Sequence, residues 1–144
     1  DAGSTDSVTL SGNTTRWDAN FINLASNAGG PGGSARLLVE DGAELFASRI
    51  AFSDVGGGTA VMDVLGGRVE LFNYLDLGGF TNTDATLTVS GPGAEFRAND
   101  MLSVGGEGTG TLSISDGGLV EGRTLSIIDN GSVSLSGAGS QLLV

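Results

Sequence analysis

One apolar triplet recurs at a fixed interval through this chain, and few folds tolerate that regularity. Leu37-Leu38-Val39, Met62-Asp63-Val64, Leu87-Thr88-Val89 and Leu112-Ser113-Ile114 follow one another at steps of 25 residues. A period of this size marks a solenoid, in which each repeat buries its apolar face only against its neighbours. The stretch from Thr86 to Asn130 displays the pattern twice over: short alternating strands cut by glycine turns.

Each repeat reads as three strands. The first carries Leu37/Val39, Met62/Val64, Leu87/Val89, Leu112/Ile114 or Val133/Leu135, and a glycine turn follows within two or three residues. The second places Trp17, Phe46, Leu71, Phe96 and Leu142 in one inward column, seven positions after the last apolar residue of the first strand. Glu121 interrupts that column, so a one-residue shift is expected there, turning Leu119 or Val120 inward. The third strand carries Ile22/Leu24, Ile50/Phe52, Leu75/Leu77, Leu102/Val104 and Leu125/Ile127. Loops of differing length then return the chain to the next repeat. No segment has an apolar 3.6-residue period, and 26 glycines in 144 residues oppose helix throughout. The expected fold is all-β: a right-handed parallel β-helix of about six coils, three short strands each, in a single domain over 1–144. Residues 1–34 form an irregular N-terminal coil and loop, and 35–144 the regular repeats, ending mid-coil.

Charge narrows the partners. Six arginines face 17 acids for a net charge of −11, with no Lys, His or Cys. Phosphate neutralisation needs a basic patch, so nucleic acid is excluded, and an anionic membrane surface is disfavoured for the same reason. No apolar run approaches the roughly 20 residues of a membrane span. Without Cys there is no disulfide framework and no thiolate chemistry. That absence suits a chain which crosses a membrane unfolded.

Val89-Ser90-Gly91-Pro92-Gly93-Ala94-Glu95-Phe96 and Leu135-Ser136-Gly137-Ala138-Gly139-Ser140-Gln141-Leu142 resemble a known repeat. Gly108-Thr109-Gly110-Thr111-Leu112-Ser113-Ile114 and Asp129-Asn130-Gly131 supply its other landmarks. The repeat is the glycine-rich one of autotransporter (type V secretion) passengers and PEP-CTERM-associated bacterial surface proteins. The resemblance covers residues 35–144 well and 7–34 loosely. It implies an exported bacterial β-solenoid, extracellular or on the cell surface, and brings no catalytic residues.

Several constellations invite chemistry. Glu70 and Glu95 are expected at equivalent positions of adjacent coils, near the ~5 Å separation of a retaining glycosidase pair. Arg68 and Arg97 stand close enough to neutralise both, and fold alone does not license function. Gly105–Ser113 superficially matches a calcium-binding nonapeptide, but Gly110 occupies the place of its ligating Asp. Asp54, Asp84 and Asp129 are expected together on the variable-loop corner as weak metal candidates, with solvated acids the blander reading. Asn13-Thr14-Thr15 and Asn130-Gly131-Ser132 fit an N-glycosylation pattern, but chance and turn chemistry explain both better. The GxGxxG-like runs precede no helix, so dinucleotide binding is rejected. With Phe46 and Phe96 assigned inward, Phe72, Tyr74 and Phe80 remain as glycan contacts. Gln141, Leu142, Leu143 and Val144 leave an apolar rung uncovered and form a candidate self-association end.

The function expected is a rigid structural or adhesive module, non-enzymatic and without cofactor. Its partners would be another copy or further coils of a longer solenoid, and a glycan or cell-surface receptor. The alternative is a carbohydrate-binding or carbohydrate-cleaving β-helix. Smooth Ser/Thr/Asp faces favour the first; convergent acids and exposed aromatics favour the second.

Overall fold

A computed structural model describes residues 5–25, 33–52 and 57–144. Among them there are thirteen strands and no helix. The first pass is β1 (Thr5–Ser11) and β2 (Arg16–Leu24), the second β3 (Ser34–Glu40) and β4 (Glu44–Phe52). The third is β5 (Gly58–Leu65), β6 (Arg68–Leu71) and β7 (Leu75–Leu77). Then come β8 (Thr83–Ser90) with β9 (Glu95–Val104), and β10 (Thr109–Ser115) with β11 (Leu119–Ile127). Finally β12 (Gly131–Leu135) precedes β13 (Gln141–Leu143).

The first strand of every pass joins one sheet, in the order β1-β3-β5-β8-β10-β12. The remaining strands form a second, β13-β11-β9-β6-β4-β2, with β7 pairing β4 and β9. Every strand pairing is parallel, and the sheets stack as a β-solenoid of about five turns. That is one turn fewer than six, since the last pass holds only β12 and the three-residue β13. The expected second and third strands share one sheet. They run continuously through a bend in β2, β4, β9 and β11, and are separate only as β6 and β7.

The 25-residue step is realised as register. Leu37 pairs with Met62, Met62 with Leu87 and Leu87 with Leu112, and a shorter step then sets Leu112 on Val133. Leu37, Met62, Leu87 and Leu112 are all fully buried. Each such side chain contributes roughly 1.5–3 kcal/mol by leaving water. Turns into the second sheet use left-handed backbone: Asp41-Gly42 at φ 54° and 80°, and Asp116-Gly117 at 52° and 91°. Asp tolerates that region better than most residues and Gly enters it freely.

The second-strand column departs from expectation in two passes. Trp17, Leu45, Val69, Phe96, Val120 and Leu142 are the residues that stack. Phe46 is therefore not inward; it faces out, half-buried, one residue past Leu45. Leu71 is buried but lies two places along, paired with Ala47 and Ala98. The physical reason is corner length. Seven residues carry the chain from Val89 to Phe96, six from Val39 to Leu45 and five from Val64 to Val69. At the Glu121 interruption Val120 turns inward and is fully buried.

Candidate functional site

Shifting the second-strand column changes which outward side chains meet. On the exterior of the second sheet one column reads Arg16, Glu44, Arg68, Glu95 and Leu119. Its neighbour, two residues along each strand, reads Asp18, Phe46, Glu70, Arg97 and Glu121. Signs alternate along and across the strands. Arg16 pairs with Asp18 at 2.7 Å and reaches Glu44 at 3.8 Å. Arg68 meets Glu70 at 2.8 Å and Glu95 at 3.7 Å, while Arg97 bridges Glu95 and Glu121. The Arg16 hydrogen bond holds the Asp18 carboxyl below its usual range and raises the guanidinium in turn. Phe46 fills the gap in this lattice, with the Arg16 and Arg68 guanidinium carbons 4.0 Å and 5.5 Å from its ring centre.

Glu70 and Glu95 are consequently not equivalent. Glu95 lies opposite Arg68, and Glu70 opposite Arg97. Each carboxylate of the supposed catalytic pair is engaged by an arginine, as an ordered salt-bridge lattice requires. The pairing expected from the count of seven fails for the same corner-length reason as Phe46.

A second feature lies at the bend of this sheet. One outward column there reads Phe21, Arg49, Tyr74, Met101 and Thr124, each just before the first apolar residue of the third segment. The Arg49 guanidinium stands 5.5 Å from the Phe21 ring and 5.0 Å from Tyr74. Stacking of this kind contributes about 0.5–1 kcal/mol per contact at exposed sites. Phe72, in the same bend, is 57% exposed. Beside it a groove of about 220 Å³ is lined by Arg97, Ala98, Asn99, Glu121, Gly122 and Arg123. Phe80 lies beyond β7 in a different loop, where its carbonyl accepts from the Thr83 hydroxyl at 2.7 Å. The bend thus gathers Phe72 and Tyr74 and leaves Phe80 apart. Phe21, Arg49 and Met101 were not singled out from sequence, although their position just before Ile22, Ile50 and Leu102 is a readable signal; Arg123, two residues before Leu125 at a register shift, carries none.

The remaining candidates disperse. Asp54 lies outside the described residues. Asp84 is on strand β8 rather than in a loop, and Asp129 sits in the turn before β12, with β10 between those strands. Among the described residues no three acids are grouped to hold a metal ion. Gly110 cannot give way to an aspartate, because a Cβ there would overlap the Leu77 carbonyl oxygen. Asn130 has φ 62° and donates from Nδ2 to the Gly106 carbonyl at 3.2 Å, a turn role. Gln141–Leu143 pair with β11 alone; Leu143 and Val144 are exposed, as are Ile127 and Leu135.

No protein-family model, curated protein or solved structure matches the chain. The class it defines is a parallel β-solenoid with a charge-laced wall and an aromatic bend.

Proposed function

We propose that the chain is a rigid structural or adhesive module, non-catalytic and without cofactor, working outside the cell or on a bacterial surface. In this reading the coil is right-handed, as parallel crossovers nearly always are, and the bend of the second sheet makes a third side. The observation that carries it is the continuity of apolar and charged columns from pass to pass. Such a wall resists bending and presents acids already matched to arginines. The exterior of the first sheet supports the same role. Over β8, β10 and β12, Ser90 and Ser115 are hydrogen-bonded at 2.9 Å, and Ser113 and Ser134 at 3.2 Å, in a run of hydroxyls. The autotransporter and PEP-CTERM resemblance supports the location. Hydrogen exchange is expected to protect the inner strands β5, β8 and β10 together as one cooperative unit; fast exchange within any of them would overturn this.

The uncovered apolar residues around β12 and β13 support contact with a second copy or with further coils. Sedimentation velocity over a range of concentrations is expected to reveal assemblies larger than a monomer, and a monomer at every concentration counts against self-association.

A second reading, carbohydrate binding, is favoured by the exposed Phe72 beside the Arg49–Tyr74 stack. Binding on a glycan array is expected to vanish on replacing Phe72 and Tyr74 with Ala. No wild-type binding, or binding indifferent to that change, removes this reading.

A further inference from the structure

The bend differs from the rest of the second sheet in having a cation left over. Arg16, Arg36, Arg68 and Arg97 are in ion pairs, and Arg49 stacks between two rings. Among the described residues the Arg123 side chain alone of the arginines takes part in no ion pair, hydrogen bond or ring contact, and it is exposed. Its position follows from an irregularity. Gly122 pairs with Ala98 and Thr124 with Met101, so Arg123 by itself faces the two residues Asn99 and Asp100. A bulge of this kind re-aims a side chain and bends the strand. One strand further on, Phe72, Asn73 and Tyr74 occupy the same bend, joined to it by the Asp100 N–H donating to the Asn73 carbonyl at 3.3 Å.

The bend therefore presents an aromatic surface, two exposed amides at Asn73 and Asn99, and one uncommitted guanidinium beside a groove. Aromatic faces stack on the C–H faces of sugar rings, and carboxamides exchange hydrogen bonds with hydroxyls. A guanidinium pairs bidentately with a carboxylate. We propose that this bend binds an acidic linear carbohydrate, a uronic-acid glycan, lying along the stack of strands with a carboxylate at Arg123. The proposal rests on the carbohydrate reading above and adds the charge of the ligand. Asp100 and Glu121 border the site and oppose an anion. The net charge of −11 also repels one at long range. Near physiological salt the Debye length is about 8 Å, so remote acids are screened while a contact at Arg123 persists.

The test is calorimetry at physiological ionic strength with oligogalacturonate, its fully methyl-esterified form and a polyglutamate peptide. Wild-type chain is expected to bind the free acid well above the ester and to ignore polyglutamate. Arg123→Gln should weaken the free acid about tenfold, the scale of one lost charge-assisted hydrogen bond, and leave the ester unchanged. Asp100→Asn should strengthen the free acid, an opposite sign that a merely structural role would not produce. Phe72→Ala with Tyr74→Ala should abolish binding of both sugars, with an unaltered melting transition confirming the fold. Equal binding of acid and ester, unaffected by Arg123→Gln, overturns the proposal while the carbohydrate reading stands. Polyglutamate binding as tight as the free acid also overturns it, because charge alone is then being read. Binding of neither sugar overturns it as well, and the carbohydrate reading then depends on the array result alone.

Discussion

At Gly110 the absence of a side chain lets β10 run directly against the backbone at Leu77 and Gly105. A Cβ there would overlap the Leu77 carbonyl oxygen, and backbone cannot swing aside as a side chain can. Gly91 is the contrasting case: φ is +93°, yet nothing lies within 4 Å of the position a Cβ would take. Its substitution strains only the local backbone, at about 1–2 kcal/mol. Gly110→Ala is expected to cost as much as or more than overpacking typically does, about 1–3 kcal/mol, through displacement of a strand. Urea denaturation should rank Gly110→Ala as the more damaging; the reverse order would mean that turn conformation matters more than close approach. Phe96 and Phe46 form another informative pair. Phe96 is fully buried among Leu, Val and Ala, so Phe96→Ala should cost about 3–5 kcal/mol. Phe46 faces out between two arginines, and Phe46→Ala should cost about 1 kcal/mol, most of it cation–π contact. Similar losses in the two variants would restore Phe46 to the interior.

Among the elements, the two sheets solve different problems. The first is fixed by apolar ladders whose step is constant between Leu37 and Leu112, which is why its strands were legible in sequence. The third segments were legible too, because Ile22, Ile50, Leu75, Leu102 and Leu125 do align. What a count of residues could not deliver was the second segment, since its corner spans five, six or seven residues in different passes. A second apolar residue follows the true position in each case, Phe46 directly after Leu45 and Leu71 two places after Val69, so hydrophobicity alone does not choose the register. The outward charges supply a criterion: only the observed register places Arg68 opposite Glu95 and Arg97 opposite Glu70 and Glu121. The candidate site suffered from the same ambiguity, which moved Glu70 beside Glu95. Arg97→Glu tests the lattice directly, as it sets three acids in register at Glu70, position 97 and Glu121. Like charges directly opposite cost roughly 0.2–1 kcal/mol per contact. Stability should fall by about that amount for each and recover partly in high salt, where exposed charges are screened. A loss insensitive to salt would assign Arg97 a packing role.

For the whole molecule, a solenoid is nearly one-dimensional, and its stability approximates a sum over coils and their interfaces. Excising Gly58–Asn82, which removes β5, β6 and β7 together, joins Gly57 to Thr83 and brings β3 against β8. The apolar columns survive this, with Leu37 meeting Leu87 and Leu45 meeting Phe96, because every pass offers the same inward positions. The shortened chain is therefore expected to unfold cooperatively, with a urea m value reduced roughly in proportion to the residues removed. The charge columns do not survive it. Their alternation repeats every two passes, so removing one pass sets Glu44 against Glu95. Glu44 keeps its contact with Arg16 in both chains, and only its other neighbour changes, from Arg68 to Glu95. Glu44→Gln should therefore destabilise the full chain by about 0.5–1 kcal/mol and cost the shortened chain less, because relief of the Glu95 repulsion offsets the lost Arg16 contact. An equal loss in both chains would show that each coil is matched only to itself, and that the outer lattice does not set the order in which coils stack.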